Sequence, residues 1–102
     1  MHDHIPTDAQ RDAEDKIIGP KLVALAGAKG MSVDDFAHAM NLSPEYVKGM
    51  RAGIRQVSNW AMIYAARALK LDGAPHASIQ QPELAAIAEA LRARVLEMAS
   101  VV

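Results

Sequence analysis

Two helix-start signals stand eleven residues apart in this chain, at Ser32 and Ser43, and that spacing limits what its middle can become. Ser32 is followed three residues later by Asp35, completing a capping box, while Asp34 adds the negative charge that a first helical turn favours. Ser43, Pro44 and Glu45 then supply an N-cap, a proline at the first helical position and an acid in the first turn. The first helix must end near Met40, and the second runs from Pro44 to about Ala52, where Gly53 stops it. The sequence therefore predicts two short helices joined by the tight turn Asn41–Ser43. Phe36, Ala37 and Met40 form the inward face of the first, and Val47 and Met50 that of the second.

Helices are predicted on both sides of this pair. Thr7, Asp8 and Gln10 mark a start, and the helix reaches Lys29, with Gly19-Pro20 expected to kink or restart it near Ile18. Ile17, Leu22, Leu25 and Ala26 are its expected buried stripe, and Gly30 its stop. After a loop with Arg55 and Gln56, Ser58 caps a helix from Asn59 to about Lys70. Asn59, Met62, Ile63, Ala66 and Leu69 should point inward, and Leu71-Asp72-Gly73 closes the unit. A last helix begins at Pro82-Glu83 and runs nearly to Val102. Its Leu84, Ala88, Leu91, Val95, Met98 and Val102 follow four, three, four, three and four residues apart, the spacing of a narrow coiled-coil seam. The expected organisation is an acidic tail and helix start over 1–15, a central unit over 16–73, a linker over 74–81 and a C-terminal helix over 82–102.

Composition agrees with helices throughout. Alanine fills 20 of 102 positions and only Phe36, Tyr46, Trp60 and Tyr64 are aromatic, which leaves little bulk for a sheet. The absence of cysteine removes disulfides, thiolate metal sites and cysteine nucleophiles. The longest apolar-plus-glycine run, Leu22 to Ala28, is far short of the roughly 20 residues that span a bilayer. The N-terminus lacks the basic-then-apolar pattern of a signal peptide, so a cytoplasmic protein without a membrane segment is expected. His2 and His4 are a tail pair without further ligands, His38 lies beside Asp34 and Asp35 on a helix, and His76 falls in the linker. No nucleophile-base spacing, phosphate loop or zinc-ligand set occurs. Neither enzymatic activity nor a cofactor is expected.

The formal net charge of −1 hides an internal division. Residues 1–15 sum to −4, residues 16–73 to +4 and residues 74–102 to −1. The middle is the mildly basic part, as a nucleic-acid surface requires.

The central unit resembles the Cro/CI-type (XRE) helix-turn-helix family over roughly residues 20 to 72. The residues that carry the resemblance are Gly30-Met31-Ser32, Phe36-Ala37, Leu42-Ser43, Tyr46-Val47, Gly53 and Ala66-Arg67-Ala68-Leu69 with Leu71. The resemblance implies an all-α, phage-repressor-like bundle of four to five helices plus a C-terminal packing or dimerisation helix. It further implies a homodimeric DNA-binding transcription regulator, with helix 44–52 in the major groove of double-stranded DNA. Ser43, Glu45, Lys48, Arg51 and Arg55 are the implied DNA-binding residues. Glu45 and Lys48 would meet base edges, and Lys48, Arg51 and Arg55 would meet phosphates. The chain departs from the family pattern at Val33, where a phosphate-holding Gln is usual. It departs also at Ala26 and Arg51, where an Arg–Glu pair is usual; Arg51 is thereby left to point outward. Pro44 and Gly49 add no polar side chain to the reading face.

These departures keep a second function open, a protein-binding adaptor of antiactivator or antitoxin-like type that retains the fold. Trp60 and Tyr64, one turn apart with Arg67, occupy a face of their helix separate from its inward stripe. Either the last helix folds back over them, or Trp60, Tyr64, Leu91, Val95 and Met98 form a face for a protein partner or a second copy.

Overall fold

A computed structural model describes residues 8–75 and 81–98, and all of its regular structure is helical: α1 (Asp8–Ala28), α2 (Val33–Met40), α3 (Pro44–Ala52), α4 (Asn59–Leu69) and α5 (Gln81–Glu97). The protein is an all-α bundle. His2, His4, His76 and Val102 lie outside the described residues.

The caps expected at Ser32, Ser43 and Ser58 are formed, and Thr7, expected at the start of α1, lies outside the described residues. The Ser32 hydroxyl accepts from the Asp35 N–H at 3.0 Å, and the Asp35 carboxylate accepts from the Ser32 N–H at 3.2 Å. Ser43 caps α3 through the Tyr46 N–H, and Ser58 caps α4 through the Ala61 N–H. Each bond satisfies a donor that the start of a helix leaves without a partner. Asn41 turns the chain between α2 and α3 in the left-handed region, and Gly53 ends α3 at φ 73°, a conformation glycine adopts without steric penalty.

α1 departs from expectation. It passes through Pro20 as one helix rather than restarting. Its buried row is Asp15, Ile18, Gly19, Leu22 and Ala26, whereas Ile17 is 49 % exposed and Leu25 only half-buried. Ile17 sits about 100° around the helix from Ile18, so a row centred on Ile18 turns it outward. Gly19 is where α3 crosses: a Cβ there would stand 2.5 Å from the Met50 carbonyl oxygen. The glycine that read as a break is a contact point between two backbones.

One core joins all five helices. Phe36, Met40, Val47, Met50, Met62, Ile63 and Leu69 are buried together with Leu84, Ala88, Leu91 and Val95 of α5. α5 therefore packs on α4 and α1 of its own chain and belongs to the same unit as residues 16–73. Leu91 and Val95, expected as part of a face for another molecule, are 2 % and 0 % exposed in that core. The seam spacing is present, but from Leu84 to Val95 the chain itself covers it. Met98 is half-buried, as are Trp60 and Tyr64, whose rings stack with centroids 5.7 Å apart. Lys21 of α1 fastens the far end of α5, donating to the carbonyls of Val95, Leu96 and Met98 at 3.4, 3.2 and 2.7 Å. A cation there also complements the negative end of the helix.

Candidate nucleic-acid interface

α3 is held from one side only. It packs on α1 and α2 through Val47 and Met50, and its backbone approaches neither α4 nor α5. Its opposite face is open, with Ser43, Glu45, Lys48 and Arg51 all exposed. Arg55, just beyond Gly53, is exposed beside them. The structure thus leaves all five residues expected at DNA exposed on α3 or the loop that follows it, with Arg51 about 200° around the helix from Gly49, the residue that Arg55 lies against. Among the described residues, no ion pair engages Lys48, Arg51 or Arg55.

Arg55 is placed by two neighbours. Its guanidinium carbon lies 5.0 Å from the centroid of the Tyr46 ring, a cation–π arrangement. Its stem crosses Gly49, where an added Cβ would stand 2.9 Å from the Arg55 Cβ. Gly49, silent as a base reader, is the gap that lets Arg55 lie against α3. Between α3 and the loop runs an open groove of about 730 Å3, lined by Glu45, Tyr46, Lys48, Gly49, Ile54 and Arg55 among others. Ile54 stands on its rim at 84 % exposure, the most exposed of the large apolar residues described. A smaller recess of about 480 Å3, lined in part by Asp12, Lys16 and Gln56, lies along the other side of Ile54.

The loop 53–58 is fastened from three helices. The N–H groups of Gly53, Ile54 and Arg55 return to α3 carbonyls at Met50 and Gly49. The Tyr46 hydroxyl donates to the Gln56 carbonyl at 2.9 Å and accepts from the Ser58 N–H at 3.2 Å. The Gln56 side-chain amide donates to Asp12 of α1. The Val57 N–H donates to Asp15 of α1 at 3.0 Å, and the Val57 carbonyl accepts from Arg92 of α5. Arg92 and Asp15 are themselves an ion pair, each side chain 3 % exposed. The Arg92 Nε, also buried, makes no hydrogen bond and lies 3.9 Å from Glu89.

Sequence reasoning missed Asp15 and Arg92. Asp15 reads as one acid of an acidic segment and Arg92 as ordinary helix charge, and 77 positions separate them. The available signal is that Asp15 falls on the same helical row as Ile18 and Leu22. No helix of the described residues is long and apolar enough to cross a membrane. Comparison of the chain with protein-family models, with curated proteins and with solved structures finds no match.

Proposed function

We propose that this chain is a DNA-binding transcription regulator of the Cro/CI type that lays the outer face of α3 in the major groove. The observation that carries this reading is that Lys48, Arg51 and Arg55 are exposed on α3 and the loop after it and that, among the described residues, none of them has an ion-pair partner. Exposed cations without ion-pair partners suit a polyanion, and phosphate neutralisation supplies most of non-specific affinity. In this reading Lys48, Arg51 and Arg55 hold phosphates, while Glu45 and Lys48 also reach base edges, Glu45 by accepting from a cytosine amino group. As a pair of copies, the protein would place two such helices about 34 Å apart on a near-palindromic site. Trp60, Tyr64 and Met98, half-buried, are the residues of the expected pairing face that still reach the surface.

Fluorescence anisotropy on a labelled mixed-sequence duplex, repeated across salt concentrations, tests the proposal. Three phosphate contacts give a slope of log K against log salt of about −2.7 per chain, and Arg51→Ala removes about 0.9 of it. A slope near zero, or one indifferent to both Arg51→Ala and Arg55→Ala, refutes it.

Ile54 favours a second reading, the protein-binding adaptor. An exposed isoleucine on a groove rim beside Tyr46 suits an apolar side chain of a protein partner. Under that reading Ile54→Ser abolishes capture of the partner, and Arg51→Ala has little effect.

A further inference from the structure

Building on the DNA reading above, we infer that Asp15 and Arg92 are positioning residues of the interface, and that they make α5 a working part of it. The two side chains do not reach the outer face of α3; both are buried. Their joint object is a single residue of the loop: Asp15 accepts from the Val57 N–H, and Arg92 donates to the Val57 carbonyl while pairing with Asp15. Val57 is thus gripped through both of its main-chain polar groups, by one side chain from α1 and one from α5.

Burying two charges is costly, and apolar residues of similar volume would fill the same space at no loss of stability. What apolar residues would not do is fix the direction of the Val57 peptide groups. That direction matters because Val57 lies two residues after Arg55, and the segment between is tied on its other side by Tyr46, the residue on which Arg55 rests. Gln56 adds a further tie to Asp12, one turn before Asp15 on α1. The loop therefore has little freedom. Arg55 meets a phosphate from a fixed position, so little ordering remains for DNA to impose on binding.

Arg92→Lys is the informative substitution. It keeps a cation opposite Asp15 but lacks the planar fork that serves Asp15 and the Val57 carbonyl together. In the anisotropy assay on the full chain, Arg92→Lys is expected to bind the duplex at least about threefold more weakly. The salt slope should fall by about 0.9, as it does for Arg55→Ala. In the Arg55→Ala background, Arg92→Lys should change neither quantity, since the contact it positions is already gone. Faster amide exchange at Val57 and Ser58 should accompany the loss. Where Arg92→Lys does not fold, Tyr46→Phe carries the test. It frees the same loop from the α3 side, keeps the ring under Arg55 and leaves the buried pair intact, and the same losses are expected.

Unchanged affinity and slope in a folded variant whose Val57 amide exchanges faster overturn the inference. So does an equal loss of affinity in the Arg55→Ala background, because Arg92 would then act by another route. If the unsubstituted protein shows no salt-dependent binding to the duplex, the DNA reading falls and this inference with it. The first two outcomes remove this inference alone.

Discussion

Replacing Gly19 with alanine should destabilise the protein, although alanine is the better helix former. A Cβ at Gly19 would stand 2.5 Å from the Met50 oxygen, 3.1 Å from its carbonyl carbon and 3.2 Å from its Cα. Ordinary contact begins at 3.4 Å, so the oxygen must retreat by about 0.9 Å. The obstacle is backbone of α3, which no rotamer change can remove, so α1 and α3 must separate. Overpacking of this kind costs about 1–3 kcal/mol, against a propensity gain of just under about 1 kcal/mol. The net loss is up to about 2 kcal/mol. With an unfolding entropy near 2.1 cal/mol/K per residue, that lowers the Tm of a chain of this length by up to about 9 °C. Gly27 is the control on the same helix: nothing lies within 4 Å of its Cβ position. Gly27→Ala should therefore be neutral or stabilise by up to about 1 kcal/mol. Urea and thermal unfolding followed by circular dichroism measure both. Equal effects of the two substitutions, or a more stable Gly19→Ala, would refute the backbone contact between α1 and α3.

Three further outcomes are expected. Ser32→Ala removes the hydroxyl that accepts from the Asp35 N–H, leaving the Ser32 N–H bond to the Asp35 carboxylate available, and should lower the urea-extrapolated stability by about 1 kcal/mol without changing the m value. Removing residues 76–102 strips Leu84, Ala88, Leu91 and Val95 from the core and leaves Asp15 without its cation, the latter alone costing about 3–5 kcal/mol. That truncated chain should show no cooperative unfolding transition by circular dichroism. Ile54→Ser, at a position 84 % exposed, should leave stability within about 0.5 kcal/mol, so any loss of binding it causes reports on the groove rather than on folding.

The local part of this fold was legible in the sequence. Ser32, Ser43 and Ser58 cap the helices they were expected to cap, because a cap is settled by residues three positions apart. Phe36, Met40, Val47 and Met50 are buried as the helical period requires. What failed to show was set by neighbours far along the chain. Gly19-Pro20 carries the usual mark of a helix break, yet packing against α3 uses the glycine and the helix continues. The seam on α5 was visible as a spacing, but a spacing does not say which surface covers it, and here it is the chain's own α1 and α4. At the candidate interface, the exposed residues of α3 could be named in advance. The clamp on Val57 could not, because it joins side chains 77 positions apart.

The same clamp changes the meaning of the charge pattern. Along the sequence, the acids of residues 1–15 offset the basic middle of the chain. In space, several of them are spent elsewhere: Asp15 on Arg92 and the Val57 N–H, and Asp12 on the Gln56 amide. Arg11, the lone base of that segment, pairs with Glu89 of α5. The ion pairs described around α1 therefore join it to α5. Glu45 is the carboxylate of α3, and it forms no ion pair with Lys48, Arg51 or Arg55. A chain whose charges nearly cancel in sum can still present exposed cations to a duplex when several of its acids are engaged within the fold. Asp15 and Arg92 serve that arrangement twice, by withdrawing a carboxylate from the surface and by holding the loop that carries Arg55.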